Sequence, residues 1–216
     1  MAIKLIRTIL YIGLWLSSVA IAFHTGTFYP NSKVVLHIEN NVIGEMQQDF
    51  AKHNVTEPKL IYNDNESFMQ AVYKCVNFVD LKTPATKRVH KDIIIAMAVV
   101  ESGYGKSRFA IKGNNLFGIR TWDKNVAQLK PKENPSEEWG VKIYITKCKS
   151  VADMISILNR LDVYEEFRTE RRRQLLLGIL DIDKLINHLH PWSTNPNYVD
   201  LIKQKAKKSA KIFSDN

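Results

Sequence analysis

The chain is poor in several features that would have directed it to specialised chemistry. Its two cysteines, Cys75 and Cys148, form no CxxC and stand beside no base that would activate a thiolate, so thiol catalysis has little support. The six histidines are scattered, and His188-x-His190 lacks the i, i+4 spacing that places two imidazoles on one helix face; no metal is implied. There is no phosphate-cradling GxxxxGK and no GxGxxG, and Gly103-Tyr104-Gly105 reads as a helix stop, so no cofactor is expected. Nine glycines and seven prolines are too few for a collagen, and 45% apolar residues are too many for a disordered chain. Apolar runs long enough for several membrane spans are missing, as are internal repeats and low-complexity tracts. What is left is one ordinary domain with a small appendage.

Charge of one sign is in excess. Against 22 acidic residues stand 31 Lys and Arg, a net charge of +9, which favours a polyanionic neighbour such as nucleic acid, anionic lipid or an acidic wall polymer. At the N-terminus, Lys4 and Arg7 precede the uncharged run Thr8 to Phe23, which ends in Ser17-Ser18-Val19-Ala20-Ile21-Ala22. Basic start, apolar stretch and Ala-x-Ala ending form a signal-peptide pattern suited to cleavage after Ala22. The stretch would make a helix of about 24 Å, short for a bilayer core of about 30 Å, but Phe23 and the uncharged Thr25 to Asn31 can extend it into an uncleaved anchor with Lys4 and Arg7 on the cytoplasmic side. Residues 1–22 are therefore read as signal peptide or membrane anchor, with membrane attachment through residues 8–23, and residues 23–60 as a lead-in. Removing 1–22 leaves 29 basic and 22 acidic residues, or +7, so the basic character belongs to the domain. Export also gives the cysteines meaning. A Cys75–Cys148 bridge would close a long loop and contribute roughly 3 to 5 kcal/mol; two separate buried thiols fit the sequence equally well.

Periodicity supplies the elements. A short helix is expected from Ile43 to His53. From Asn65, the spacing of Phe68, Ala71, Val72, Cys75, Val76 and Val79 makes one apolar helical face, followed by Thr83-Pro84. A second helix starts near Lys91 and runs through Ile93 to Val100, apolar all round and hence central and buried, stopping near Gly103. Asn114 to Arg120 and Val141 to Tyr144 read as short strands flanking a polar loop with Pro131 and Pro135. Ser150 with Asp153 suggests a capped start for a helix through Leu161; further helices are expected at 163–178, 181–189 and 196–213, the last begun by Asn195-Pro196. The class is mostly α, with a small β-lobe inserted after the central helix.

One carboxylate directly follows the buried run, in Ala96-Met97-Ala98-Val99-Val100-Glu101-Ser102-Gly103. Apolar surroundings and the negative end of a helix both disfavour ionised Glu101, which makes a proton available near neutral pH, as a general acid acting on a glycosidic oxygen requires. A solvent-facing Glu101, or one paired with Arg108 or Arg120, fits the same sequence.

Glu101-Ser102-Gly103-Tyr104-Gly105-Lys106-Ser107 followed by Gly113-Asn114-Asn115-Leu116-Phe117-Gly118-Ile119 resembles the glucosaminidase domain of bacterial peptidoglycan hydrolases, particularly the Bax-like branch. Ser150-Val151-Ala152-Asp153, Tyr164 with Phe167-Arg168, and Trp192-Ser193-Thr194-Asn195-Pro196-Asn197-Tyr198 follow in order, so the resemblance spans about residues 65 to 210. It implies a lysozyme-like fold over a catalytic domain at 61–213, cleaving N-acetylglucosaminyl linkages in peptidoglycan, with glycan strands as partner, in the periplasm or cell envelope. Residue by residue it implies Glu101 as catalytic acid, Asn115, Phe117 and Gly118 lining the cleft beside Leu116, and Tyr198 near the C-terminal helix. Trp192 stands where relatives often carry tyrosine, so a hydroxyl role there is lost, though its ring joins the substrate-binding set.

A second carboxylate is harder to find. Asp123, Glu133, Glu137 and Glu138 lie in the β-lobe, and Glu138 ranks first because it precedes the strand near Val141 and neighbours Trp139; the substrate's own acetamido group is the alternative. Trp122, Trp139, Tyr144 and Trp192 can stack on sugars or simply pack. The basic helical faces carrying Arg168, Arg171, Arg172, Arg173 and the lysines from Lys203 to Lys211 suit a solvated surface, an anionic polymer or lipid headgroups. A monomeric envelope glycosidase is the leading expectation. A non-catalytic glycan-binding protein of the same fold is second, and export argues against nucleic acid as a partner.

Overall fold

A computed structural model describes residues 2–28, 34, 37, 38, 41, 42, 44, 45 and 55–214. The chain divides into two compact units, Met1–Ala51 and Lys52–Asn216. In the first, α1 (Ala2–Phe28) is a continuous helix. Its stretch Ile6–Thr25 has mean hydropathy 1.7 over 20 residues, about 30 Å of helix, which equals a bilayer core. The apolar stretch is thus longer than the run Thr8 to Phe23 suggested, because Ile6 and the residues after Phe23 continue the same helix. The helix expected from Ile43 to His53 lies outside the described residues apart from Gly44 and Glu45.

The second unit is a helical body with a small sheet. α2 (Asn65–Asp80) begins with a capping box, the Asp64 carboxylate accepting from Ser67 N–H at 2.7 Å and Ser67 Oγ accepting from Asp64 N–H. Its Phe68, Met69, Ala71, Val72, Cys75 and Val76 are buried, on the spacing that the sequence displays. α3 (Lys91–Ser102) is the central helix: every residue from Ile93 to Ala98 is fully buried. It packs most extensively against α8 (Tyr198–Ser214), and the buried Asp92 carboxylate accepts a hydrogen bond from Ser209 Oγ at 2.7 Å across that interface. α5 (Lys147–Arg160) closes the core from the α2 side through Val151, Met154, Ile155 and Leu158. Cys75 on α2 and Cys148 on α5 are joined as a disulfide, their Cα atoms 5.2 Å apart, so the alternative of two separate thiols is set aside.

The turn after α3 explains why the sequence reads Ser-Gly-Tyr-Gly. Gly103, Tyr104 and Gly105 all have left-handed backbone, with φ of 57°, 59° and 76°. The buried Ser102 hydroxyl donates to the Ala98 carbonyl at 2.5 Å and accepts from Gly105 N–H at 2.7 Å, tying helix end to turn. Tyr62 Oη in turn donates to the Gly105 carbonyl at 3.2 Å. A methyl group on Gly105 would overlap the Tyr62 hydroxyl and stand 2.7 Å from the Phe68 ring. Gly105→Ala should therefore cost about 3 kcal/mol, summing left-handed strain and overpacking; calorimetry should find the melting point lowered by about 9 °C.

After α4 (Arg108–Gly113) comes the β-lobe: β1 (Arg120–Thr121), β2 (Gln128–Leu129) and β3 (Gly140–Lys142), antiparallel in the order β1-β3-β2. Val141 stands opposite both Arg120 and Leu129. Two expectations are corrected here. The segment 114–119 is loop, and pairing starts only at Arg120, because the Asn115 side chain takes the bonds that a strand neighbour would supply. The polar stretch between the strands itself contributes β2. Later boundaries also move. α5 is capped by Thr146, which accepts from Lys149 N–H at 3.2 Å, while Ser150 is buried inside the helix and accepts from Leu116 N–H at 3.3 Å. α6 (Glu165–Leu177) follows a 3-10 turn at Asp162–Tyr164, α7 spans Ile182–Asn187, and another 3-10 turn at His190–Trp192 precedes α8. Asn195 does not cap α8 directly: its side chain accepts from Asn197 N–H at 2.9 Å and its carbonyl from Tyr198 N–H at 3.0 Å, so the helix begins at Tyr198.

Candidate active site

Glu101 occupies the last turn of α3, the penultimate residue before the left-handed stop. The buried run that precedes it fixes the helix axis, and the Ser102 turn fixes where the helix ends, so its carboxylate is presented at the rim of the core, half-buried. Burial raises its pKa above the ordinary glutamate range, and two donors partly counter the rise: the Tyr198 hydroxyl and the Trp192 indole N–H. Neither arginine weighed from the sequence neutralises it. Arg108 Nη1 donates to the Lys130 carbonyl at 2.8 Å, and Arg120 lies over the Trp139 ring at 3.9 Å.

The two donors arrive from the far end of the chain. Pro191 opens the 3-10 turn that ends at Trp192, and the Asn195 turn then swings the chain so that Tyr198, only 3% exposed, enters α8 facing the end of α3. Tyr198 Oη is wholly buried, and no protein atom meets it at full hydrogen-bond geometry. Burial and the Glu101 charge beside it both push its own pKa up. Buried hydroxyls are normally satisfied, so this one, left beside a half-buried carboxylate, sets the end of α3 apart from the rest of the core. Tyr164, buried in the turn before α6, has the same carboxylate for a neighbour: its pKa is pushed up to about 12, by burial first and by the Glu101 charge second. The sequence displayed Tyr164 in the motif with Phe167-Arg168 without revealing this neighbour, since only the packing of α6 against the core brings it there.

The other expected site residues are distributed differently. Asn115, 1% exposed, donates to the carbonyls of Ile119 and Lys142, both at 3.0 Å, and accepts from Phe117 and Ile119 N–H at 3.2 and 3.1 Å. Its amide is fully used in shaping the loop and clipping it to β3, which leaves nothing for a sugar. Phe117 is likewise 1% exposed and sits in the core with Leu116, so it packs the loop from behind. Gly118 is half-exposed with φ of 66°, and a Cβ there would meet no atom within 4 Å; the requirement is for left-handed backbone, with open space above it.

Glu138 is exposed on the loop before β3. That loop is held by Lys130, whose ammonium donates to the carbonyls of Glu137, Glu138 and Trp139 at 2.8, 3.3 and 3.1 Å. Of the competing acids, Asp123 accepts from Asn125 N–H at 2.9 Å and Glu137 from Asn134 Nδ2 at 2.9 Å. The Glu138 carboxylate makes no hydrogen bond or ion pair among the described residues. Trp122 is 63% exposed, Trp139 is covered by Arg120, and Tyr144 donates to Asp153 at 2.6 Å. Among the described residues no group of three or more His, Cys, Asp and Glu is arranged to hold a metal.

This arrangement has parallels. The catalytic domain of the autolysin Auto from Listeria monocytogenes superposes with TM-score 0.52 at 16% identity, over 80% of this chain and 97% of that one. The glycoside hydrolase domain of FlgJ from Salmonella typhimurium does so with TM-score 0.50 at 17% identity, over 71% and 92%. At such identities they establish the fold, which is lysozyme-like. Comparison with curated protein sequences finds no match. The model of the family described as mannosyl-glycoprotein endo-beta-N-acetylglucosaminidase matches residues 81–211. That range takes in the central helix with Glu101, the turn behind it, the β-lobe and both donors, and covers more than half of the sequence: the chain belongs to the glucosaminidase family.

Proposed function

We propose that the protein is an exported peptidoglycan hydrolase that cleaves N-acetylglucosaminyl linkages with Glu101 as general acid. The observation that carries this reading is the half-buried Glu101 at the end of a helix whose stretch Ile93 to Ala98 is fully buried, its pKa raised by desolvation and its carboxylate placed near two neutral donors. In the first step Glu101 gives its proton to the departing glycosidic oxygen; the carboxylate that forms is then stabilised by the Tyr198 hydroxyl and the Trp192 N–H. Trp192 thus supplies by an N–H what tyrosine would supply by a hydroxyl. Glu138 is the second carboxylate, acting from the β-lobe, and it is supported by being free of the structural bonds that occupy Asp123 and Glu137. Asn115 and Phe117 support the cleft wall from within. The net charge of +7 left after residues 1–22 attracts the domain to anionic wall polymers without specifying the bond cut.

The test is digestion of purified sacculi followed by mass spectrometry of the new reducing ends. N-acetylglucosamine at those ends is the expected result. N-acetylmuramic acid there would make the protein a muramidase, and no new ends with wild type would leave a glycan-binding protein of the same fold. Tyr198→Phe should slow cleavage about tenfold, the effect of removing one hydrogen bond to a charged group. Because that donor lowers the Glu101 pKa, its loss should also move the alkaline limb of the pH–rate profile upward; a limb that stays in place would take Tyr198 out of the acid's environment.

A further inference from the structure

We infer that the hairpin joining α6 to α7 docks the catalytic unit onto an anionic bilayer surface. Leu175, Leu176, Leu177, Ile179 and Leu180 are 54, 80, 61, 46 and 62% exposed, a concentration of large apolar side chains that soluble surfaces avoid. The hairpin that carries them is firmly built. Gly178, with φ of 64°, ends α6 in a turn where Ile179 N–H donates to the Gln174 carbonyl at 3.1 Å. The buried Gln174 side chain then clasps both ends, accepting from Asp181 N–H at 2.8 Å and donating to the Asp181 carbonyl at 3.0 Å. Buried polar bonds are thus used to hold leucines out in water.

The rim supplies charge. Glu170, Asp181 and Asp183 are matched by Arg173, Lys184 and Lys207, which leaves Arg171 and Arg172 outside any ion pair among the described residues. Arg171 is bonded to the Lys87 and Arg88 carbonyls and to Asn159 Oδ1 and its Nε is buried, so its guanidinium is spent on the fold, while Arg172 is exposed beside the ridge. Beneath the ridge, Leu175, Ile179, Leu180, Leu185 and Phe167 line a cavity of about 400 Å³. A bilayer answers these features together: its interior takes the leucines, an acyl chain can enter the cavity, and anionic headgroups meet Arg172. The same chain provides the bilayer, since the stretch Ile6–Thr25 is long enough to span one. The inference goes beyond glycan cleavage and takes α1 as a retained span.

The test uses the full chain carrying Leu176→Cys, a single reactive thiol because Cys75 and Cys148 are paired, labelled with an environment-sensitive fluorophore. The control is Ile145→Cys, at a position that is 90% exposed. After reconstitution in vesicles of phosphatidylcholine and phosphatidylglycerol, the probe at 176 should shift to the blue, gain intensity several-fold and be quenched by spin-labelled acyl chains, while the probe at 145 should not. Arg172→Glu should at least halve the gain. Equal behaviour of the two probes, or an equal shift in phosphatidylcholine alone, would overturn the proposal. So would a shift in detergent without lipid that grows with protein concentration, which would assign the ridge to a second copy. Glu101-dependent cleavage of sacculi by the detergent-solubilised Leu176→Asp variant should equal wild type, so failure of docking and failure of the glycosidase reading are separable.

Discussion

Replacing Glu101 by glutamine should lower the rate of glycan cleavage about 10³-fold, the magnitude that a positioned general acid contributes, with the melting temperature almost unchanged. Glutamine keeps the shape and can still accept from Tyr198 and Trp192, but it has no proton to give. The isosteric variant therefore separates proton transfer from the packing of the helix end. The pH profile of wild type should carry the same signature. A general acid works only while protonated, and burial raises the Glu101 pKa above its ordinary value. Activity should therefore persist to a higher pH than an exposed glutamate would allow and fall as pH rises through the elevated pKa. Single-turnover rates on sacculi across pH, with wild type and Glu101→Gln side by side, would check both statements. A loss of less than tenfold in the variant would remove Glu101 from the acid's role.

Opening the Cys75–Cys148 bridge should have the largest effect on stability. The two residues are 73 apart in sequence, and closing a loop of that length in the unfolded chain is worth about 4 kcal/mol in the chain-entropy description. For a unit of this size, the Cys75→Ser, Cys148→Ser double variant should melt about 12 °C lower, with secondary structure retained at low temperature. The bridge pins α2 to α5 and leaves the α3–α8 packing in place, so the rate of glycan cleavage at low temperature should stay near that of wild type. Circular dichroism melts with and without reductant would show it; coincident melts would mean that the packing of α2 on α5 carries the stability without the bond.

Local pattern made much of this architecture legible. Phe68 to Val79 and Ile93 to Val100 announce their helices because burial of a helical face repeats every three or four residues, and Gly103 and Gly105 announce the stop because left-handed backbone favours glycine. The same method erred where a side chain overrode pattern. Asn114 to Arg120 reads as a short strand, yet the Asn115 amide satisfies the backbone of its own loop and keeps it from pairing. Ser150 looks like a cap, but Thr146 stands one turn earlier with extended backbone and takes that place. Asn115 also shows the weakness of inferring a role from residue type: an amide able to bind a sugar is equally able to bind a loop, and burial decided which.

The helical class, the apolar N-terminal helix, the inserted β-lobe and the position of one carboxylate after one buried run are all legible in the order of residues. Each is written in neighbours a few residues apart, where periodicity and backbone sterics act directly. Packing of distant segments set the upward shift of the Glu101 pKa, the company of Tyr198, Trp192 and Tyr164 around it, the pairing of Cys75 with Cys148 and the exposure of the leucine ridge. Those properties depend on how much water remains near a group and which distant segment displaces it, and desolvation is a property of the packed chain.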